Sequence, residues 1–186
     1  FLVDDFTWLR WATSTYLSDV PRFFTDATGF FYRPLSKLYF MGAYALFWFK
    51  PGGYHLVNVV LHVTSTVHVY LLARQTTKRT VVAIASSLLF LVAAIHHENV
   101  YWISGINSLA GATSALAALY VFLRFLRSMN RFRFILFCVS FLLMAASLLW
   151  YEGMVTMPLV IVAAALFFGK RKEAWVSGLF ILFAKS

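Results

Sequence analysis

Long apolar runs separated by short polar clusters dominate the chain from residue 54 onward. Five runs predict helices, and a sixth is indicated near the end: Tyr54 to about Ala73, Val81 to Ile95, Ser104 to Leu123, Phe134 to Leu149, Met154 to Phe168, and a run that begins near Ala174. A membrane-spanning helix needs roughly 20 apolar residues. The pattern therefore predicts an all-α, polytopic transmembrane helix bundle with about six spans.

Residues 1–53 have a different pattern, in which aromatic rings alternate with charged side chains. Rings beside charges are typical of the membrane–water interface. Pro21, Gly29 and Pro34 divide this stretch into short pieces, and the sequence Lys-Pro-Gly-Gly at 50–53 predicts a turn before the first span. We predict an external loop with one or two short interfacial helices over 1–53 and membrane helices over 54–186. Together they form a single partial transmembrane domain, both ends of which look truncated.

Composition supports the membrane class. Only 12% of the residues are charged and 61% are hydrophobic, whereas a soluble domain is typically about 25% charged. The net charge of +9 could indicate nucleic-acid binding. The basic residues, however, lie in clusters between apolar runs, a pattern typical of loops that face anionic lipid and cytoplasm. We therefore expect membrane lipids as partners and no nucleic acid. Cys138 is the chain's one cysteine, which excludes an intrachain disulfide.

Loop charges alternate along the chain and predict its orientation. Ten of the sixteen Lys and Arg residues lie in three clusters, at 74–79, 124–133 and 170–172, while the loops around 96–104 and 150–153 hold none. By the positive-inside rule the basic clusters are cytoplasmic. The acids Asp4, Asp5, Glu98 and Glu152 are then external. We predict a multi-pass integral membrane protein with its active site outside; if the source is a prokaryote, the membrane is the plasma (inner) membrane.

Two adjacent carboxylates, Asp4 and Asp5, are candidates for chemistry because acids beside a bilayer are costly to desolvate. They could supply a general base and a second acid that orients it or binds a cation. They could equally be the N-cap and first-turn acids of a helix that starts near Phe6. Arg33, beside a proline and aromatic rings, suits a phosphate, but it could also be an interface anchor that reaches lipid headgroups.

Polar side chains also recur on one face of the first predicted span, at spacings of three, four and four: His55, Asn58, His62 and Thr66. Such a face should point into the bundle, where interhelical hydrogen bonds are the more common role and ligand binding is the alternative.

Three titratable groups lie together in the second external loop, His96, His97 and Glu98. A metal site is conceivable there, although the spacing fits no zinc motif. Glu152 stands alone between two spans and could be an ordinary interface acid.

Five short motifs follow one another along the chain: Asp-Asp at 4–5, Tyr-Arg-Pro-Leu at 32–35, Gly-Tyr-His-Leu-Val-Asn-Val-Val-Leu-His at 53–62, His-His-Glu-Asn-Val-Tyr-Trp-Ile-Ser-Gly at 96–105, and Tyr-Glu-Gly-Met-Val-Thr-Met-Pro-Leu at 151–159. This order resembles the GT-C class of integral-membrane glycosyltransferases. It is most similar to the protein O-mannosyltransferase-like branch, which includes enzymes with tetratricopeptide repeats.

The chain departs from the family pattern in three places. The family often has Gly-Arg-x-Asp where residues 105–108 are Gly-Ile-Asn-Ser, and a Lys where Tyr151 stands. A His-Pro ahead of the His96 motif is replaced by Ala93 and Ala94. These departures bear on donor binding and on the identity of the sugar more than on the fold.

The resemblance implies transfer of a mannose-like sugar, with inversion, from a polyprenyl-phosphate carrier to a protein or glycan acceptor on the external face. It implies that Asp4 or Asp5 accepts the proton of the acceptor hydroxyl, and that Arg33, helped by His96, stabilises the departing phosphate. The remaining pocket residues that it suggests are Tyr32, His55, Glu98, Trp102 and Glu152. The lipid-linked sugar is the donor substrate. The resemblance implies no definite cofactor, and it leaves a divalent metal possible.

Two other functions fit the sequence. One is a membrane transporter or lipid-handling protein without catalysis, which would use the polar face of His55 and would not need Asp4. The other is a noncatalytic scaffold of GT-C-like fold, which the departures at 105–108 allow. Sugar turnover by Asp4→Asn or Asp5→Asn variants separates both from the enzyme.

Overall fold

The computed structural model describes residues 3–26, 31–129 and 131–168. Within these ranges the regular structure is helical throughout and no strand occurs. The nine α-helices of the described residues are α1 (Val3–Thr13), α2 (Val20–Thr25), α3 (Pro34–Phe47), α4 (Pro51–Thr77), α5 (Thr80–Val92), α6 (His97–Tyr101), α7 (Ile106–Arg127), α8 (Arg133–Trp150) and α9 (Met157–Phe168). Four 3₁₀ turns join them, at Leu17–Asp19, Ala94–His96, Ile103–Gly105 and Glu152–Thr156.

Prolines in the first part of the chain begin helices. Pro34 is the first residue of α3, Pro21 the second of α2, and Pro51 the first of α4. Proline fits there because the first-turn N–H groups have no helical partner and its φ is already helical. The predicted turn at 50–53 is therefore wrong: the chain turns just before it, where Trp48 has a φ of 48°. The described residues of 1–53 also hold three complete α-helices, α1, α2 and α3, not one or two.

Three helical segments are long and apolar enough to cross a membrane: Pro51–Thr77, Ile103–Arg127 and Arg133–Trp150. A fourth is added if α5 and Ala94–Tyr101, which meet at an angle of 48°, count as one broken span. Large apolar side chains such as Leu89 and Leu142 are exposed on the outer surface of the bundle, as expected of a membrane protein. The fifth predicted run is the short segment Glu152–Phe168, and the sixth lies outside the described residues. Six spans therefore stay a prediction.

The second predicted helix ends earlier than its apolar run. It was expected to continue to Ile95, but α5 ends at Val92 and Ala93 is extended, with a ψ of 120°. No glycine or proline marks this break. The Nε2 atom of His62 donates to the carbonyl oxygen of Leu91 at 3.1 Å, which satisfies one of the acceptors that the end of a helix leaves without a partner.

Helices α4 and α7 lie side by side and parallel. At one end the Nδ2 atom of Asn58 donates to the carbonyl of Trp102, just before α7, at 2.7 Å. At the other end Arg127 donates through Nη1 to the carbonyl of Gln75 at 2.7 Å. Helix α8 returns along α7, and Ser140 donates to the carbonyl of Ala118 at 3.0 Å. Alanine and glycine on the buried face of α7 permit this close approach.

The bundle has two chemically different ends. We call the end at Asp5, Ser104 and Glu152 the acidic end, and the end at Arg74 and Arg127 the basic end. One buried apolar cluster supports the acidic end by joining α1, α3, the start of α4 and the Ile103–Gly105 turn, through Leu9, Phe40, Ala43, Tyr54, Ile103 and Ile106. A smaller cluster at the basic end joins α7 to α9.

Candidate functional site

The two acids of the first motif lie in different environments. Both belong to the first turn of α1, where carboxylates interact favourably with the helix dipole. Asp5 is buried, with 1% of its surface exposed, and its Oδ1 accepts a hydrogen bond from the backbone N–H of Ser104 at 2.8 Å. Asp4 is exposed. Asp5 thus attaches α1 to the turn that precedes α7, while the side chain of Asp4 lies at the surface of the bundle.

Asn58 holds the same turn from the side of α4. Its Nδ2 atom donates to the carbonyl of Trp102 and lies 3.4 Å and 3.5 Å from the carbonyls of Asn99 and Val100. These carbonyls belong to the short helix α6 and its end, where backbone acceptors have few helical partners. The indole Nε1 of Trp102 is buried and has no hydrogen-bond partner within the described residues. A buried donor without a partner is uncommon in native structures.

Arg33 is a largely enclosed cation at the acidic end. Its side chain is 11% exposed, and its guanidinium lies 4.2 Å from the ring centre of Phe31 and 4.9 Å from that of Tyr151. Its Nε donates to Oε2 of Glu152 at 2.6 Å, and its Nη2 donates to Oε1 of the same carboxylate. Two rings and a two-point fork therefore fix the plane of the guanidinium.

Glu152 is the acidic partner in this arrangement. The side-chain hydrogen bond from Arg33 lowers the pKa of the Glu152 carboxyl below its ordinary value, although partial burial acts in the opposite direction. Since half of the Glu152 side chain is exposed, solvent screens part of the attraction. The carboxylate therefore stays ionised at neutral pH and occupies the face of Arg33 that an anionic ligand would use.

Helix α3 is fixed to the end of α8 beside this ion pair. Ser36 is fully buried and donates to the carbonyl of Trp150 at 3.1 Å. Tyr32, which is exposed, donates through its hydroxyl to the carbonyl of Phe24 at 2.9 Å. The segment that carries Arg33 is thus attached on one side to α8 and on the other to α2.

His96 lies against α4 and α5. Its ring centre is 4.3 Å from that of Phe90 and 5.4 Å from that of His62. Within the described residues its side chain forms no hydrogen bond or ion pair with Arg33. The two residues that we expected to act on one phosphate are therefore held by different elements of the fold.

The other predicted pocket residues surround α6. The His55 ring lies 6.0 Å from that of Tyr101, and His97 stacks on Tyr101 at 5.4 Å. Glu98 is exposed. Within the described part of the chain, no group of three or more His, Cys, Asp or Glu side chains is placed to hold a metal ion. A bound divalent metal therefore stays a prediction without a ligand set.

Several contributors were not recognised as site residues from the sequence. The Ser104 N–H that binds Asp5 is a backbone group, which a side-chain pattern cannot reveal. Tyr151 was noted only as a departure from the family. The sequence did contain a signal for Tyr151, because each ring that covers Arg33 is close in sequence to one member of the ion pair. Phe31 is two residues before Arg33, and Tyr151 directly precedes Glu152.

The chain is similar to one part of a much larger curated protein, "Protein O-mannosyl-transferase Tmtc1" of Drosophila melanogaster. The two are 33% identical over 125 residues, which is 67% of this chain and 14% of the Drosophila protein. This similarity supports a distant relationship to that family. No family model matches the chain, and no solved structure matches it.

Proposed function

We propose that the acidic end is the reaction centre of a membrane glycosyltransferase that moves a mannose-like sugar from a polyprenyl-phosphate carrier to a hydroxyl of a protein or glycan. One observation carries the proposal: an accessible Asp4, next to an anchored Asp5, lies at the same end of one bundle as the enclosed guanidinium of Arg33. The name of the Drosophila relative, an O-mannosyl-transferase, supports sugar transfer to oxygen.

In the proposed reaction the acceptor oxygen attacks the anomeric carbon of the donor sugar. The bond from that carbon to the phosphate oxygen breaks, and the phosphate leaves with the electron pair. Asp4 takes the acceptor proton as the new bond forms. A carboxylate is basic enough when proton transfer is late and the sugar has oxocarbenium character. We assign this step to Asp4 because Asp5 is buried and already binds the Ser104 N–H.

Arg33 supplies the charge that stabilises the departing phosphate in this proposal. A guanidinium presents paired N–H donors that match phosphate oxygens as well as they match a carboxylate. Glu152 holds two of these donors in the absence of a ligand, so the donor phosphate must displace or share it. Glu152 thus keeps the guanidinium of Arg33 oriented until the donor arrives. Arg33 can then keep the same side-chain conformation when the phosphate replaces the carboxylate. His96 would contribute from the side of α5.

Rings and polar groups around α6 would hold the sugar and the first part of the prenyl chain. Trp102 offers a buried N–H without a partner in the described residues, which suits a sugar hydroxyl. Tyr32, His55 and Glu98 are the further candidates. By the positive-inside rule the basic clusters support a cytoplasmic position for the opposite end of the bundle, and in this proposal the reaction takes place on the external or lumenal side.

Asparagine variants of the two acids test the proposal. Membranes that contain the protein are supplied with polyprenyl-phosphate-linked mannose, and transfer to acceptor is measured together with the melting temperature of the purified protein. Asp4→Asn should lose about 10²- to 10⁴-fold in transfer, the usual contribution of a general base, with an unchanged melting temperature. Asp5→Asn should lose activity and also melt lower, because it weakens a buried hydrogen bond to a charged acceptor.

Asp19→Asn is the matched control, since Asp19 belongs to the same segment but binds only the N–H of Tyr16 and the side chain of Arg22. It should retain transfer. Wild-type transfer by the Asp4→Asn variant would remove Asp4 from the reaction and leave the carboxylates with the structural role of helix-terminus acids.

A further inference from the structure

A cavity of about 600 Å³ lies at the basic end, between the last turns of α4 and α7 and the start of α8. It is on the side of the bundle opposite to the acidic end, and the proposed sugar transfer does not use it. Three arginines line it, Arg74, Arg124 and Arg127, together with Gln75 and Tyr120. Its volume is in the range of small-molecule sites.

Among the described residues, no acid neutralises the three arginines of this cavity. Arg74 donates to the carbonyl of Lys78 at 2.6 Å, Arg127 to that of Gln75 at 2.7 Å, and Arg124 to the hydroxyl of Tyr120 at 3.2 Å. All three acceptors are uncharged, and within the described residues no carboxylate pairs with these arginines. Each guanidinium has five N–H donors, so most of this donor capacity faces the cavity or solvent.

Helix-end chemistry explains only part of this arrangement. Arginine near a helix C-terminus interacts favourably with the last carbonyls and with the dipole, as the bonds from Arg74 and Arg127 illustrate. One arginine per helix end would suffice for that role. Here three arginines line one concave space, and an anion bound there would relieve their mutual repulsion.

The walls and position of the cavity indicate which anion it takes. Leu71 and Leu136 line it beside the arginines, so a ligand meets apolar surface next to the charge. Helix α4 has 27 residues and is therefore about 40 Å long, whereas the hydrocarbon core of a bilayer is about 30 Å thick. The last turn of α4, with Arg74, consequently reaches the layer of lipid headgroups.

Gln75 indicates a second property of the ligand, a hydrogen-bond donor. Its Oε1 atom is buried and has no hydrogen-bond partner within the described residues, although the residue lines the cavity. A buried acceptor without a partner is costly. A headgroup that carries a hydroxyl next to its phosphate would offer both the negative charge for the arginines and a donor for this oxygen.

We propose that the basic-end cavity binds the headgroup of an anionic phospholipid, with the phosphate on Arg74, Arg124 and Arg127 and a headgroup hydroxyl near Gln75. The bound lipid would hold the ends of α4, α7 and α8 together. The proposal is independent of sugar transfer, because binding is measured without donor or acceptor.

Short-chain lipids provide the test. The purified protein in neutral detergent is titrated with dioctanoyl phosphatidylglycerol, with dioctanoyl phosphatidylcholine and with inorganic phosphate, and binding is followed by the rise in melting temperature. We expect saturable stabilisation by phosphatidylglycerol and little by the other two. Arg124→Gln should weaken the apparent affinity about tenfold, as loss of a charge-assisted hydrogen bond predicts. Arg124 is exposed, and its side chain donates to Tyr120, which lies one turn earlier in the same helix. This variant should therefore still fold.

Arg79→Gln is the matched control, because it removes the same charge from the same end of the bundle at a residue that does not line the cavity. It should leave the affinity unchanged. Equal weakening by both variants would mean diffuse attraction to a basic surface and would overturn the site. Equal stabilisation by inorganic phosphate would make it a free-phosphate site, and no stabilisation by phosphatidylglycerol would also refute the proposal.

Discussion

The carboxylate of Glu152 accepts hydrogen bonds from both Nε and Nη2 of Arg33, across 119 positions of the sequence. The rings of Phe31 and Tyr151 cover the same guanidinium. Planarity is what permits all three interactions at once, because a flat cation can stack and form a fork simultaneously. An ammonium group has the same charge but no plane, and this difference makes the pair testable.

Arg33→Lys should reduce sugar transfer by about 10- to 100-fold, which corresponds to the loss of one strong charge-assisted interaction. The protein should still insert into the membrane, since the charge is kept. Transfer is measured in membranes at equal protein levels. Arg22→Lys, a largely exposed arginine of the same segment, serves as control and should be silent. Full activity in Arg33→Lys would make Arg33 an interface anchor only.

The Arg33–Glu152 pair should also make stability depend on pH. Arg33 lowers the folded-state pKa of Glu152 below its ordinary value of 4.5, so the stabilisation is complete above that pH and is lost as pH falls through the lowered pKa. The melting temperature of the wild type should therefore fall below about pH 4.5 more steeply than that of Glu152→Gln.

Glu98→Gln is the control for this pH series, because Glu98 is an exposed carboxylate at the same end of the bundle. It should follow the wild-type curve. If Glu152→Gln and wild type lose stability in parallel, the ion pair contributes nothing measurable in solution, as many exposed pairs do.

Gly105 should not tolerate a side chain. A Cβ at this position would overlap the carbonyl oxygen of Asn99 and lie 2.8 Å from its Cα, and these backbone atoms cannot rotate away. Gly105→Ala should cost about 1–3 kcal/mol and displace the Ser104 N–H from Asp5, so both melting temperature and transfer should fall.

Gly42→Ala is the opposite case, since nothing lies within 4 Å of a Cβ there and the residue is inside α3. This variant should be stabilised by about 0.5–1 kcal/mol. If Gly105→Ala and Gly42→Ala have the same melting temperature, the backbone at Asn99 can move aside at little cost. The turn would then not hold Asp5 rigidly.

Orientation in the membrane can be read from cysteine labelling. In a Cys138→Ser background, Glu98→Cys at the acidic end should react with an impermeant thiol reagent added outside intact cells. Met129→Cys, which is 81% exposed and follows α7 at the basic end, should react only after the membrane is opened. The reverse pattern would contradict the positive-inside assignment and the external reaction centre together.

Local patterns in the sequence predicted local structure well. The spacing of Asn58 and His62 indicated a face that bonds to other helices, and both do so, to Trp102 and Leu91. Thr66 on the same face instead donates back to the carbonyl of His62 in its own helix, an alternative that threonine always has. The periodicity of α4 predicts this face correctly because a helix places residues three and four positions apart on one side. The partners of Asn58 and His62 are also nearer in the chain than Glu152 is to Arg33.

Distant pairings and the break in α5 could not be predicted. Nothing in the neighbourhood of Arg33 specifies Glu152, since side chains this far apart meet only after several helices have packed. The interruption at Ala93 has no glycine or proline, and the hydrogen bond that accompanies it, from His62 to the carbonyl of Leu91, comes from another helix. The extent of α1 was also missed: a helix was expected from Phe6, but α1 begins at Val3 and contains both acids.

Two residue pairs join the start of α3 to the end of α8, Ser36 with Trp150 and Arg33 with Glu152, and they span 114 and 119 positions. During synthesis at about 5–20 residues per second, these partners emerge on the order of 10 s apart. Arg33 must remain hydrated during that interval, because an unpaired guanidinium is costly in hydrocarbon. The acidic end is therefore completed only after α8 has been synthesised, and a chain stopped before residue 150 would lack it.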